Sequence, residues 1–282
     1  MIIDFHTHTF PEKIAARALQ SLSEGSHTAH FTDGTTEGLR ESMRTAGIDR
    51  CVSLAVATRA DQVAHINDRI IANQAQNGDG DIIAFGAMHP DMDEYVSELG
   101  RLKAAGIRGI KLHPAFCGLD LTDIRFKRII EKASELDLIV VTHGGVDIGF
   151  PDHDYASVDH ILEIMREVAP GRLVLAHMGG WQNWDNVRKY LAGAPLWLDT
   201  AFSLGNVPIL KGQEDEMPYK YQMDMGKFKD LVYAHSVDRV LFATDSPWAD
   251  QREYVDFVRR SITDESVLNK ILGENAKGLL NI

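Results

Sequence analysis

The sequence predicts a single-domain α/β protein of the (β/α)₈, or TIM-barrel, class across residues 1–282. Apolar runs of four to eight residues, rich in Val, Ile and Leu, recur eight times, as buried parallel strands do. Amphipathic stretches of helical period lie between them, and strand–helix alternation on this scale fits a barrel. The competing open, doubly wound sheet calls for a glycine-rich phosphate loop after its first strand. Here that strand runs instead into His-Thr-His-Thr-Phe-Pro-Glu, residues 6–12.

In chain order the expected strands are 2–5, 50–56, 82–88, 107–112, 138–143, 172–177, 195–200 and 239–244. Helices are expected over 36–47, 93–106, 122–137 and 158–168, several ending on glycine, with Asp93, Thr122 and Ser157 as N-caps. Two long connections, 23–35 after the first strand and about 201–223 after the seventh, lie at the C-terminal ends of strands. Active sites of such barrels are built there.

Composition narrows the partners. A formal net charge of −12 with no basic stripe excludes nucleic acid and anionic membrane as partners. No apolar run approaches the roughly 20 residues that span a bilayer. The N-terminus opens directly on a strand with no leader-like pattern, and the two cysteines, Cys51 and Cys117, make no disulfide framework. A cytoplasmic protein acting on a small molecule is expected, with a homodimer allowed.

The chemistry is concentrated at the strand ends. Strand one closes with His6-Thr7-His8, strand four with Lys111-Leu112-His113, strand five with His143, strand six with His177 and strand eight with Thr244-Asp245-Ser246-Pro247-Trp248. Strand residues i and i+2 face the same side, which pairs His6 with His8 and Lys111 with His113. Imidazole and carboxylate suit zinc and related divalent ions, and a bound ion makes hydroxide available at neutral pH. Each piece alone has a plainer reading as a hydrogen-bonded histidine or a capping aspartate; their conjunction at successive strand ends points to a metal site.

The His-Thr-His of strand one, the single histidines ending strands five and six and the Thr-Asp-Ser-Pro-Trp of strand eight resemble the amidohydrolase superfamily. Without a flanking β-sandwich, the chain looks like the amidohydrolase-related group that includes aminocarboxymuconate-semialdehyde decarboxylase. The resemblance covers the whole chain. It implies a divalent metal, zinc first, with manganese or iron also suitable, held by His6, His8, His143 and Asp245. It gives His177 the part of positioning or activating the water, or of binding a second metal in binuclear members, and Asp245 that of ligand and base. Lys111 matches a lysine that is carboxylated and bridges two metals in binuclear members. A plain ammonium is the expectation here, hence one ion, with Lys111, His113 and His177 as the residues a second ion or the substrate would use.

Arg59 is a candidate clamp for a substrate carboxylate, and Phe150, Trp181 and Trp248 are candidate pocket walls. The expected activity is hydrolysis of an amide, ester or lactone by metal-activated water. Non-oxidative decarboxylation, or hydration, of a small acid at the same site is the alternative, and a catalytically dead barrel used for binding is disfavoured by the full ligand set.

Overall fold

The computed structural model describes residues 1–78, 80–215, 219 and 221–282. Among them, eight strands form one sheet in the order β1 to β8, and the fold is a (β/α)₈ barrel. The strands are β1 (Ile3–Thr7), β2 (Arg50–Leu54), β3 (Ile82–Ala87), β4 (Gly109–Leu112), β5 (Ile139–Thr142), β6 (Leu173–Leu175), β7 (Trp197–Asp199) and β8 (Val240–Leu241). The chain divides into two compact units, residues 1–52, 148–150 and 199–282, and residues 53–147 and 151–198.

In the first unit β1 is buried along its whole length. The segment after β8 runs beside it: Phe5 donates its N–H to Phe242 O at 2.9 Å, Asp245 to His6 O at 2.8 Å and His8 to Ser246 O at 2.7 Å. β8 is shorter than the expected 239–244 for a specific reason. Beyond Leu241 two successive backbone N–H groups leave the ladder for side chains, Ala243 N–H on Thr200 Oγ1 at 2.8 Å and Thr244 N–H on Asp4 Oδ1 at 3.0 Å. Ile3, Phe5, Leu39, Phe228 and Phe242 are buried at the core of this unit.

Among the described residues, the two long connections of this unit carry structure of their own. The helix Glu12–Ser26 extends into the first, which therefore begins at His27 in a left-handed turn, φ 55°. The connections then join: Ala29 donates to Pro208 O at 2.7 Å and Leu210 to His27 O at 2.9 Å. The second also folds on itself, with Gly205 N–H on Met223 O at 3.0 Å and Met223 N–H on Ser203 O at 2.9 Å. Tyr254 supports it from below, accepting Leu204 N–H at 3.3 Å. Glu216, Met217, Pro218 and Lys220 of this connection lie outside the described residues.

In the second unit β3 to β7 pair in parallel without a slip, so that Lys111 lies opposite Ala87 and Val141, and Thr142 opposite Leu112 and Leu175. β4 and β5 are entirely buried. β6 ends at Leu175 rather than 177 because His177 and Met178 adopt left-handed φ of 60° and 52°. Ser157 caps its helix as expected, its hydroxyl accepting His160 N–H at 3.3 Å. The other two expected caps shift by one residue, to Glu94 and Asp123. At the second, the Asp123 carboxylate reaches Arg125 N–H at 2.9 Å, a stronger acceptor than the Thr122 hydroxyl. No helix among the described residues is long and apolar enough to cross a membrane.

Candidate metal centre

In the first unit the structure brings His6, His8 and Asp245 together. His6 Nε2 lies 3.2 Å from His8 Nε2 and 3.3 Å from Asp245 Oδ1, and His8 Nε2 lies 3.1 Å from the same oxygen. These edges match the face of a tetrahedron, about 3.3 Å on edge when ligand nitrogens and oxygens stand about 2.0–2.1 Å from zinc. The residues present therefore fit a divalent ion.

The electrostatics agree. His6 Nδ1 lies 2.8 Å from Asp199 Oδ2, and both side chains are buried. A carboxylate only accepts, so Nδ1 carries the proton, and in the neutral ring that leaves Nε2 as the nitrogen able to bind a metal. A carboxylate on the far nitrogen is also the usual partner of a metal-bound histidine.

Asp4 fixes the frame that carries these ligands. Its Oδ1 accepts the N–H of His6 at 3.2 Å and of Thr244 at 3.0 Å, while its Oδ2 accepts Thr244 Oγ1–H at 2.5 Å and Gln251 Nε2–H at 2.7 Å. Complete burial pushes this carboxyl up to about 6, against the pull of those four donors. Asp245 itself sits at φ 69°, a left-handed conformation that costs an aspartate about 1–3 kcal/mol and is held by its bond to His6. Against 1% for His6, the side chains of His8 and Asp245 are 16% and 12% exposed. The cluster thus opens to solvent on the His8–Asp245 side.

In the second unit the structure groups the remaining histidines. The ring of His143 lies 4.8 Å from that of His113 and 4.5 Å from that of His177, centre to centre. Asp147 joins them, its Oδ2 3.4 Å from His113 Nε2 and 3.9 Å from His143 Nδ1. Lys111 is buried, 2% exposed, in the middle of the same sheet. Trp181 is buried beside this loop, donating its backbone N–H to Gly144 O at 2.9 Å.

The weaker candidates fare differently. Arg59 is exposed, and its guanidinium pairs with Asp61 at 3.0 Å. Phe150 is 39% exposed. Trp248 is half-buried, its N–H on Asp245 O at 2.8 Å, next to the first cluster.

Three carboxylates escaped the sequence reading: Asp199, Asp147 and Asp4. A signal existed for two of them. Asp199 is an acid ending a strand, as Asp245 nearly is, and Asp4 shares the alternation of His6 and His8. Asp147 lies in a loop, where no periodicity marks it.

A family model described as amidohydrolase matches residues 3–282. No curated protein matches the chain. Solved structures match it at low identity. A 2,6-dihydroxybenzoate decarboxylase complexed with 2,6-dihydroxybenzoate is 14% identical, with a TM-score of 0.71 over 100% of this chain and 99% of that one. The 5-carboxyvanillate decarboxylase of Sphingomonas paucimobilis is 15% identical, with a TM-score of 0.68 over 100% and 99%. A probable 2-pyrone-4,6-dicarboxylic acid hydrolase from Acinetobacter baumannii, with citric acid bound, is 14% identical, with a TM-score of 0.63 over 100% and 99%. Similarity at this level bears on the fold alone.

Proposed function

The chain belongs to the amidohydrolase family, whose model matches it from residue 3 to residue 282, and from that premise we propose a metal-dependent hydrolase acting on an amide, ester or lactone of a small molecule. The observation that carries this reading is the convergence of His6 Nε2, His8 Nε2 and Asp245 Oδ1, with His6 held in the required tautomer by Asp199. To these three ligands the family resemblance adds His143. Zinc suits the donor set first, and manganese or iron also fit.

A divalent ion held by these residues would supply hydroxide at neutral pH by lowering the pKa of water to about 7. The protein's own part is proton handling. The Asp245 carboxylate, on the solvent-facing side, accepts the proton of the attacking water. It then returns that proton to the nitrogen or oxygen that leaves when the acyl bond breaks. His6, tied to Asp199, keeps its ring fixed throughout. His177 is the second acid–base group in this reading.

A second reading is non-oxidative decarboxylation of a small carboxylic acid by the same residues. It is favoured by two of the similar structures being decarboxylases, as the hydrolytic reading is favoured by the similar pyrone-dicarboxylic acid hydrolase. The deciding experiment offers the zinc- or manganese-loaded protein lactones, amides and hydroxylated aromatic acids, following acid release and carbon dioxide separately. Acid release that disappears in His8→Ala and Asp245→Asn supports hydrolysis. Carbon dioxide release with the same mutational pattern replaces it with the second reading. Activity that survives both substitutions overturns the site.

A further inference from the structure

We propose that His89 binds substrate, its Nε2–H holding an acyl oxygen: the C=O of an amide, ester or lactone, or an oxygen of a carboxylate. The inference rests on the acyl substrate of the reading above, but its test reads binding rather than turnover, so the two fail separately.

The sheet sets this ring among the histidines of the second unit. Ala87 pairs with Lys111, and Lys111 with Val141. Carried two residues on, that register puts His89 beside His113 and His113 beside His143. Alternation gives all three the face of the sheet that Lys111 occupies. The rings of His113 and His143, 4.8 Å apart, follow this row. The end of β3 is held in place by buried Asn67 of the helix Ala60–Asn77. Its side-chain amide accepts Ala87 N–H at 2.9 Å and donates to Ala87 O at 3.0 Å.

The ring's one hydrogen bond chooses its tautomer. Asp91 donates its backbone N–H to His89 Nδ1 at 3.2 Å, so that nitrogen is bare and Nε2 carries the proton. Burial lowers the pKa of this imidazole; Arg125 adds to that, and Asp91 and Asp61 oppose it. Arg125 is itself shared between Asp91 and Asp123. The ring is therefore a neutral donor with a single N–H to give. Only 5% of His89 is exposed. Yet Nε2 is neither bonded to a described residue nor among the sealed, unpaired polar atoms of the interior. The turn at Asp91 uses Nδ1 alone. A buried ring that keeps its one N–H open is a preorganised donor, and a neutral N–H suits a carbonyl and a carboxylate oxygen alike.

Two substitutions separate the donor from the turn. His89→Asn places an oxygen where Nδ1 stands, which keeps the turn and removes the distal N–H. His89→Gln reaches the position of Nε2 with an amide N–H and gives up the acceptor at Nδ1. The full-length, zinc-loaded protein, isotope-labelled at its histidine ring nitrogens, is titrated with benzamide and separately with benzoate and followed by NMR. Wild type is expected to show His89 protonated at Nε2, with that resonance moved by at least one probe. His89→Asn should weaken binding by about 3–10-fold, the worth of one neutral hydrogen bond, and His89→Gln should bind as wild type does. A response to benzamide alone marks an uncharged acyl group, a response to benzoate alone a carboxylate, and either supports the proposal. A wild-type His89 protonated at Nδ1, or a wild type that binds neither probe, overturns it with no variant required. So does a His89→Asn protein that binds as tightly as wild type. Equal weakening in both variants overturns it as well, as the mark of a ring that only shapes the chain.

Discussion

His6 donates its Nδ1–H to Asp199 Oδ2 across 2.8 Å, with neither side chain reached by solvent. Outer partners of this kind typically contribute 10–100-fold to metal affinity. Asp199→Ala is therefore expected to weaken retention of the first metal by about 10–100-fold, as read by competition with a chromophoric chelator. Asp199→Asn, which still offers an accepting oxygen, should fall between. An unchanged affinity in the alanine variant would remove Asp199 from the site.

Asp4 and Thr244 make the second test. Removing the Asp4 carboxylate strands the Thr244 N–H and hydroxyl and the Gln251 amide, all buried. Each unsatisfied buried group costs about 1–3 kcal/mol. Asp4→Ala should lower the urea midpoint by the equivalent of several kcal/mol and release metal along with it. A variant as stable as wild type would show that the network carries no weight.

How much of this was legible beforehand depends on how local each signal is. His6 and His8 are two residues apart, and Asp245 sits in a distinctive strand-end segment, so the candidate cluster of the first unit was legible in the sequence. Asp199 carried only the weak signal of an acid at a strand end, because one acid after Trp-Leu looks the same whether or not a histidine ring points at it. Asp147 reaches His143 only through the Gly145 turn, a backbone geometry that leaves no periodic trace. Strand positions followed from apolar runs, but β8 was overestimated because the N–H groups of Ala243 and Thr244 pass to the side chains of Thr200 and Asp4. The helix Glu12–Ser26 ran past the expected start of its loop because Ser23, polar in sequence, is buried against the fold.

His177 separates acid–base work from metal binding. His177→Ala is expected to lower turnover by about 10²–10⁴-fold, the usual contribution of a proton-transferring group, while the ion held by His6, His8 and Asp245 stays bound. Steady-state kinetics and metal analysis on the same preparation decide the matter. Metal lost from that cluster in this variant would make His177 a ligand.

Lys111 is expected to remain an ammonium. Lys111→Ala should then leave the bound metal unchanged, whereas a carboxylated, bridging lysine would take an ion away with it. Metal analysis of the variant, with and without added bicarbonate, distinguishes the two. Metal loss restored by bicarbonate in wild type but not in the variant would refute the expectation.

Burial pushes the Cys117 thiol up to about 12, with the nearby Asp91 adding to the effect. The thiol form therefore dominates at pH 8, and thiolate accumulates only as pH climbs toward 12. With Cys51 buried as well, the native protein should react negligibly with a disulfide reagent at pH 8 and release two thiols once unfolded. Rapid labelling of the native form would contradict this.

The bond between Asp4 and Thr244 spans 240 residues of chain. On a ribosome adding about 5–20 residues per second, His6 and His8 emerge on the order of 10–50 s before the segment that carries Asp245. Through that interval the N-terminal histidines lack the Asp245 carboxylate, and for most of it Asp199 as well, so metal capture at this cluster would wait for the last strand. An ion bound by these residues would accordingly act late in biosynthesis, locking the first strand to the eighth, and a nascent chain stalled before residue 240 would expose two histidines with no site to fill.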